Sequence, residues 1–168
     1  MKIFEKIETQ MYNLIKIYRW RVVSKLLDVD CKTLLDIGCR DQFFYNRLKD
    51  RYRVTLADHV PKEDLIKKEN VQNLTFGDKS FDIVLCQQTL EHVLDPIKAI
   101  SELKRVTGKQ LIISVPHEPF FTLFRLLCWQ KGHLWAITPK ILKFYLDAPT
   151  YEKKIFFKRY YIAMWRFD

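Results

Sequence analysis

The sequence has little glycine, few cysteines and no long apolar run, and each shortage excludes a class of protein. It holds only four glycines among 168 residues, and no Gly-, Pro- or Ser-rich linker divides it. Its four cysteines contain no C-x-x-C pair, so they are interpreted as free thiols in a reducing compartment. No apolar stretch approaches the roughly 20 residues that span a bilayer, and charges interrupt the N-terminal MKIFEKIETQ, which is not a signal peptide. We therefore expect a cytoplasmic protein without a metal site.

The composition is that of one soluble globular domain. Hydrophobic residues make up 48% and charged residues 29% of the chain, which is typical of a domain with its own core. The formal net charge is +9 and the isoelectric point is about 9.4, a balance that favours anionic partners such as nucleic acid or an acidic membrane surface. Because the lysines and arginines are spread along the chain, we interpret most of them as a solvated surface and expect no nucleic-acid partner.

Strand and helix patterns alternate along the chain. A helix over residues 3–27 is predicted by apolar residues at helical spacing, namely Ile7, Met11, Leu14, Ile15, Tyr18, Val22 and Leu26. Strands are predicted at 33–38, 53–58, 81–86 and 109–116, with a weak strand near Leu65–Glu69. Further helices are predicted at 41–50, at Pro96–Val106 with Gly108 as its C-cap, and at 138–146. This alternation predicts an α/β fold with an open, mostly parallel sheet covered on both faces.

Two later segments are less regular. Residues 119–129 (PFFTLFRLLCW) are apolar almost all round, which suits either a helix packed on the sheet or a partly exposed aromatic lid. Residues 154–167 are rich in β-formers but lack glycine, asparagine or proline at a turn. One long strand and a tight hairpin therefore both remain open for this last segment.

The predicted strands end in residues suited to a nucleotide-type cofactor. In an open parallel sheet, ligands bind beyond the carboxyl ends of the strands, where the strand order reverses. The first strand ends in Asp36 and Gly38, and the second ends in Asp58, 20 positions after Gly38. An acid at that distance is placed to accept hydrogen bonds from ribose hydroxyls. The dinucleotide pattern G-x-G-x-x-G is not met, since residues 38–43 supply only its first glycine.

These residues and a longer block together resemble a known family. The motifs are 34-LLDIGC-39, Asp58, 74-LTFGDKSFDIVLCQQTLEHVLDP-96, 113-ISVPHEPFF-121 and 132-GHLWAITPKIL-142. In this combination the sequence resembles the class I S-adenosylmethionine-dependent methyltransferases, specifically the type 11 branch, over about residues 30–145. The resemblance implies a Rossmann-like fold, a mostly parallel sheet with an antiparallel C-terminal strand, and S-adenosylmethionine as the cofactor.

The resemblance also implies roles for individual residues and regions. The expected cofactor-binding residues are Asp36, Gly38, Cys39, Arg40, Asp58, Asn70, Val71, Gln87 and Gln88. His92 and His117 are the candidate catalytic bases, with His133 as a more remote third, and a base is needed only if the acceptor loses a proton. For His92, a structural or cofactor-lining role is the alternative. Residues 1–168 then form a single domain, with a helical cap (1–30), a cofactor-binding half (31–116) and an acceptor-side half (117–168).

The glycine loop departs from the family pattern. Where the family has G-C-G-x-G, this chain reads Gly38-Cys39-Arg40-Asp41-Gln42, and a left-handed Arg40 would cost about 1 kcal/mol. Two interpretations remain. In the first, Arg40 clamps the carboxylate of the cofactor and the chain is an enzyme. In the second, the loop has lost its role and the chain is a methyltransferase-like binding module without turnover.

The acceptor-side half favours a small-molecule or lipid-like methyl acceptor. An aromatic lid at 119–129 suits such a substrate and, beside basic charge, would also allow peripheral membrane contact. An RNA methyltransferase is the weaker alternative, because it rests on the net charge. In that case an N-P-P-Y-like tetrad is expected after the fourth strand, where Cys86-Gln87-Gln88-Thr89 stands instead.

Overall fold

A computed structural model describes residues 2–117 and 133–167, without the side chains of residues 2–9 and 11. The strands are β1 (Thr33–Ile37), β2 (Arg53–Asp58), β3 (Ile66–Lys68), β4 (Phe81–Gln87), β5 (Thr107–Pro116), β6 (Tyr151–Ile155) and β7 (Tyr160–Arg166). The helices are α1 (Lys2–Leu26), α2 (Tyr45–Leu48), the 3-10 turn η1 (Leu90–His92), α3 (Pro96–Val106) and α4 (Pro139–Leu146). The strands form one sheet with the order β3-β2-β1-β4-β5-β7-β6.

The predicted α/β fold with a Rossmann-like, mostly parallel sheet is confirmed. Strands β1 to β5 pair in parallel, whereas β7 is antiparallel to both β5 and β6. The strand order reverses at β1, which lies between β2 and β4. Ile37, the last residue of β1, pairs with Ala57 of β2 and Cys86 of β4. The carboxyl ends of these three strands therefore meet at one edge of the sheet.

Two apolar layers cover the sheet, one on each face. Leu34 of β1 packs with Val23 of α1 in one layer, and the next residue, Leu35, packs with Leu103 of α3 in the other. All four side chains are fully buried. This alternation follows from the two-residue period of a strand. It explains why β1 has no exposed face and why its leucines and isoleucine do not alternate with solvent-facing polar residues.

Helix α1 forms where it is predicted, and Ile15 and Val22 of the predicted apolar face are buried, but the rest of the buried face differs. Leu14 and Tyr18 are 52% and 45% exposed, whereas Lys16 and Arg19 are 8% and 3% exposed. Arg19 lies four residues after Ile15 and four before Val23, both of which are buried in the layer under α1. Residues four apart share a helix face, so this geometry carries the two cations inward.

The predictions at two chain reversals are wrong. The helix predicted over 41–50 is reduced to the single turn of α2, because the Asp41 side chain accepts a hydrogen bond from the backbone N–H of Phe43 (2.9 Å) and forms a tight turn instead. Gly108 is not a C-cap. Helix α3 passes directly into β5 at Thr107, whose backbone is extended (φ −83°, ψ 123°), and Gly108 lies within the strand, close to the backbone of Phe81.

The C-terminal segment is a hairpin, so the second of the two open alternatives is correct. Its turn places Phe156, Phe157 and Lys158 in the left-handed region, with φ of 51°, 54° and 62°. Such φ values are unfavourable for residues other than glycine. Because phenylalanine and lysine occupy these positions, the sequence carries no turn signal there. The predicted lid, residues 119–129, lies outside the described residues. Among the described residues, no helix combines the length and hydropathy that a membrane span requires.

Two acids of the 74–96 motif have structural roles. Asp82 accepts hydrogen bonds from the backbone N–H groups of Lys32 (2.8 Å) and Thr33 (3.0 Å), and thereby ties the start of β1 to β4. Asp95 caps α3, since its side chain accepts from the backbone N–H of Lys98 at 2.9 Å. Part of the motif therefore supports the sheet that positions the strand ends.

Candidate active site at the ends of β1, β2 and β4

Gly38 occupies a position that only glycine fits without strain. Its φ is 74°, a left-handed conformation, and its backbone N–H donates to the Ala57 carbonyl at 2.8 Å. A Cβ on Gly38 would overlap the Thr89 side chain and lie 2.8 Å from its Cγ2. The turn after β1 is thus packed directly against the segment after β4, and the missing side chain brings the loop backbone to the edge of the sheet.

The backbone N–H of Arg40 is hydrogen-bonded to the acid that ends β2. It donates to Oδ2 of Asp58 at 2.9 Å, while Oδ1 of Asp58 accepts from the backbone N–H of Val60 at 3.0 Å. Arg40 itself is left-handed, with φ of 55°, as the glycine in the family pattern would allow. Each oxygen of Asp58 retains lone-pair capacity, because a carboxylate accepts about four hydrogen bonds.

Positive side chains surround Tyr12 of α1 beside this loop. The guanidinium carbon of Arg40 and the Nζ of Lys16 each lie 5.3 Å from the centroid of the Tyr12 ring, and Arg19 hydrogen-bonds to Tyr12. Lys16 also forms an ion pair with Asp41. The side chain of Arg40 therefore leaves the loop sideways, toward α1, and adds to a local concentration of positive charge.

Asp36 is a buried acid at the same edge. It is 2% exposed, and burial, with Asp41 and Asp58 adding to the effect, raises its pKa to about 7 despite the nearby Arg19. Its Oδ2 atom has no hydrogen-bond partner among the described residues. Because unpartnered buried polar atoms are costly, this oxygen suits a site that a cationic or hydrogen-bonding ligand completes.

The other unpartnered atoms of the described residues occur around the same edge. Besides Asp36 Oδ2, they are Nε and Nη1 of Arg19, Nε2 of Gln87 and Oε2 of Glu91. Glu91 is 1% exposed, and burial raises its pKa to about 8 even though Arg19 acts in the opposite direction. Residues of α1, β1, β4 and η1 thus bring a group of polar atoms together whose hydrogen-bonding capacity is not used within the chain.

The two glutamines after β4 are fixed by β5. Oε1 of Gln87 accepts from the Ser114 hydroxyl at 3.0 Å, and the backbone N–H of Gln88 donates to the Ser114 carbonyl at 2.9 Å. Gln88 is left-handed, with φ of 55°. These contacts orient the chain after β4 toward the loop of Gly38, so Gln87 and Gln88 lie where the sequence predicts them.

The residues expected near an adenine are placed less favourably. The side-chain oxygen of Asn70 accepts from the backbone N–H and the side chain of Gln72, at 3.0 and 3.1 Å. The side chain of Val71 is buried in the layer under α3 and is 5% exposed, so the backbone of Val71 is the part suited to a ligand.

Cys39, in the loop after β1, is half-buried, and burial raises the pKa of its thiol. Its backbone N–H donates to the Ala57 carbonyl at 3.3 Å.

The structure separates the candidate bases into two groups. The rings of His92 and His133 are in edge contact, with centroids 4.7 Å apart, although His133 is the candidate that the sequence places more remotely. His117 lies beyond the end of β5, where its Nδ1 is 2.9 Å from the carbonyl oxygen of Lys158 in the hairpin turn. Since a carbonyl only accepts, this nitrogen carries the proton and donates it.

Sequence reasoning missed several residues of the site. Lys16 and Arg19 give no sequence signal, because charged residues on a surface helix are expected to face solvent. Thr89 and Ser114 carry no recognisable signal, since each matters only through a neighbouring strand end. Glu91 lies within the Leu-Glu-His motif, but a glutamate is seldom fully buried, so its type gives no signal of this position.

The strand ends carry groups that suit an adenosyl cofactor. Gly38 provides a close backbone approach, Asp58 an acceptor at the end of β2, and the group around Tyr12 a positive environment for a carboxylate. Two depressions of about 340 and 550 Å³ lie elsewhere, one lined by α4 and β6 residues and one by residues near the end of α3. Neither is lined by a residue of β1, β2 or β4, so the candidate site rests on the arrangement of its groups.

Comparison with known proteins agrees with this geometry. Residues 35–113 match the family described as a methyltransferase domain. An uncharacterized protein of Methanocaldococcus jannaschii is 35% identical over 91 residues, which is 49% of this chain and 40% of that protein. A tRNA U34 carboxymethyltransferase of Nautilia profundicola is 25% identical over 114 residues, which is 58% of this chain and 37% of that enzyme. The chain therefore spans about two fifths of the length of these relatives.

A solved structure extends the likeness to the whole fold. An S-adenosylmethionine-dependent methyltransferase from Archaeoglobus fulgidus superimposes with a TM-score of 0.70 over 92% of this chain and 93% of that one. The two chains are 16% identical, so this likeness concerns the fold. The match of residues 35–113 to the methyltransferase-domain family and the order of the strands agree with this likeness, so the chain has the fold of the class I S-adenosylmethionine-dependent methyltransferases.

Proposed function

We propose that this domain is a methyltransferase that binds S-adenosylmethionine at the carboxyl ends of β1, β2 and β4. The observation that carries the proposal is the meeting of a left-handed Gly38, a buried Asp36 and the strand-end acid Asp58 at the point where the strand order reverses. Ligands of open parallel sheets bind at such a point. The family and the fold support the same assignment.

Each group has a chemical role in this proposal. The remaining lone pairs of Asp58 accept the ribose hydroxyls, and the backbone near Gly38 faces the methionine part of the cofactor. Asp36 provides negative character close to the cationic groups of the ligand, and Arg40, next to Tyr12, contacts its carboxylate. This arrangement favours the carboxylate-clamp interpretation of Arg40 over a loop that has lost its role.

The proposed reaction needs positioning more than covalent help. When bound, the cofactor supplies an electrophilic methyl group: an acceptor lone pair forms the new bond to carbon, and the C–S bonding pair passes to sulfur, leaving a thioether. The protein contributes by holding the acceptor in line with that carbon. If the acceptor is a hydroxyl group, its proton leaves to a base, for which His92 at the end of η1 is the candidate.

A small-molecule or lipid-like acceptor is favoured by apolar residues beside the site. Leu134 and Trp135 are 54% and 47% exposed, and their backbone N–H groups donate to the carbonyl of Glu91, at 2.8 and 3.3 Å. Exposed apolar side chains next to a strand-end site suit an acceptor with apolar surface. RNA is the second candidate, supported by the net charge of +9 and by the relative that acts on tRNA U34.

The acceptor class is tested by methyl transfer from methyl-labelled S-adenosylmethionine. The purified chain is incubated separately with a lipid extract, a fraction of small polar molecules and total RNA. We expect label in the lipid or small-molecule fraction, its loss in Asp58→Ala, and its retention in Asp50→Ala, since Asp50 is exposed in the turn after α2. Label found only in RNA would contradict a small-molecule or lipid-like acceptor and identify RNA as the acceptor. Absence of label in all three, with cofactor binding intact, would instead support a binding module.

A further inference from the structure

Glu91, His92 and His133 form a cluster that the proposed transfer does not require as a unit. One ligand-type atom from each residue, a carboxylate oxygen and two imidazole nitrogens, lies within 4.8 Å of the other two. Two ligand atoms of one tetrahedral zinc ion are about 3.4 Å apart, given bond lengths of roughly 2.1 Å. Small side-chain rotations therefore suffice to bring all three atoms onto one ion.

Backbone hydrogen bonds hold the two segments of this cluster together. Glu91 and His92 lie on η1, whose turn is closed by the His92 N–H donating to the Thr89 carbonyl at 3.0 Å. The carbonyl of Glu91 accepts from the N–H groups of Leu134 and Trp135, next to His133. The proximity of the three side chains thus follows from fixed backbone, in contrast to a chance meeting of mobile surface groups.

The carboxylate of Glu91 gives a second, independent observation. It is 1% exposed, and its Oε2 has no hydrogen-bond partner among the described residues. A buried carboxylate oxygen without a partner is costly unless a cation or a donor completes it. The buried guanidinium of Arg19 interacts with Glu91 electrostatically, but it does not complete this oxygen, because Nε and Nη1 of Arg19 have no hydrogen-bond partner among the described residues either.

We propose that Glu91, His92 and His133 bind one divalent transition-metal ion. Two imidazoles with one carboxylate form a ligand set that suits Zn²⁺, Mn²⁺, Fe²⁺ or Co²⁺, whereas Mg²⁺ and Ca²⁺ prefer oxygen ligands alone. Three protein ligands leave at least one coordination position for a further group. The sequence gives no metal-ligand spacing here, because the ligands come from two segments that only the fold brings together.

The open position suggests what the ion does, and this step rests on the proposed function. Arg19 is within electrostatic range of both Glu91 and Asp36, so the cluster borders the strand ends where the cofactor is proposed. An acceptor hydroxyl bound to the ion would be oriented there and would lose its proton to solvent more easily, because a bound divalent cation stabilises the negative oxygen. In this arrangement His92 serves as a ligand in place of its role as base. This chemistry points to an acceptor that presents a hydroxyl group.

Metal binding is tested on the metal-free protein without cofactor, so the result does not depend on the proposed function. Calorimetric titration with Zn²⁺, and the visible absorption of added Co²⁺, are compared for the wild type and for Glu91→Gln, His92→Gln and His133→Gln. We expect one ion per chain in the wild type. Each substitution should weaken binding by more than about 100-fold, because losing a residue that merely hydrogen-bonds to a ligand already costs about 10- to 100-fold.

Matched controls separate this site from general metal binding. His59→Gln replaces an exposed histidine after β2 and should leave binding unchanged, and thermal melting of each variant checks that it folds. Binding that survives all three ligand substitutions would place the ion elsewhere, for example on a cysteine, and would overturn the proposal. Lack of binding in the wild type would also overturn the proposal. If the melting temperature then rises on Glu91→Gln in an Arg19→Met background but not in the wild-type background, the partner of Glu91 is Arg19.

Discussion

The backbone N–H of Arg40 donates a 2.9 Å hydrogen bond to the carboxylate of Asp58, which joins the loop after β1 to the end of β2. The acid expected to bind a ribose therefore also fixes the loop that departs from the family pattern. The same contact explains how a non-glycine residue keeps φ of 55° at this position, since a hydrogen bond to a charged acceptor contributes about 1.5–3 kcal/mol.

Replacement of Arg40 distinguishes a carboxylate clamp from a loop that has lost its role. We expect Arg40→Ala to weaken S-adenosylmethionine binding by about 10-fold or more, the equivalent of one charge-assisted hydrogen bond. Methylthioadenosine, which lacks the carboxylate, should bind wild type and variant equally in the same calorimetric assay. Arg47→Ala is the control, because Arg47 is another exposed arginine and its guanidinium carbon lies over the Phe43 ring, 3.7 Å from the centroid. Tighter binding of S-adenosylmethionine by Arg40→Gly would contradict the clamp.

The packing of Gly38 against Thr89 predicts a coupled pair of substitutions. Gly38→Ala should lower the free energy of unfolding by about 2–3 kcal/mol, combining the left-handed backbone with overpacking. Thr89→Ala removes Oγ1 and Cγ2, the two atoms nearest to the new Cβ, and leaves the Thr89 Cβ at 3.0 Å. The double variant should therefore recover most of the overpacking part and retain the backbone cost. Urea denaturation of the four proteins measures this coupling. Strictly additive effects would show that the two side-chain positions are not in contact.

The raised pKa of Asp36 predicts how the free energy of unfolding changes with pH. Burial raises its pKa to about 7 from an ordinary value of 3.8, so the folded state binds more protons than the unfolded state between these values. Stability from this group is therefore present at low pH and falls as the pH rises from about 4 to 7. Asp36→Asn should remove that fall and raise the free energy of unfolding at pH 8 by up to roughly 4 kcal/mol.

Urea denaturation across pH 4 to 8 checks this difference between wild type and Asp36→Asn. The exposed Asp50→Asn is the matched control and should leave the profile unchanged. Parallel profiles for wild type and Asp36→Asn would mean that Asp36 titrates normally.

The lowered pKa of Asp82 predicts the opposite dependence of the free energy of unfolding on pH. Backbone hydrogen bonds from Lys32 and Thr33 lower its pKa to about 2, so its contribution is present above the unfolded-state value near 3.8 and is lost as the pH falls through the folded-state value. Asp82→Asn should destabilise the protein by about 1–2 kcal/mol at pH 7. The difference from wild type should shrink between pH 4 and 3, whereas Asp30→Asn, an exposed acid, should show neither effect. A constant difference across this range would contradict the assigned role.

Local patterns predicted the sheet and the strand ends well. The apolar runs of β1, β4 and β5 are almost entirely buried because helices cover both faces, and a run of this kind is visible without tertiary information. The positions of Gly38 and Asp58 follow from the ends of those runs. The acid at Asp82 was also visible, but only the structure assigns it to the start of β1.

Features that depend on contacts between distant segments were not predictable. The hairpin turn uses three left-handed residues without glycine, which pairing of β6 with β7 enforces against local preference. Arg19 faces inward because the sheet selects that face of α1. His133 meets His92 only because the segment after it hydrogen-bonds to Glu91.

Calorimetric titration of the purified protein with S-adenosylmethionine tests the central claim most directly. We expect one binding event with a dissociation constant in the micromolar range, weakened by about 10-fold or more in Asp58→Ala, which loses the hydrogen bonds proposed for the ribose. A folded wild-type protein that releases no heat with millimolar cofactor, and whose melting temperature the cofactor leaves unchanged, would contradict the claim that these strand ends hold it.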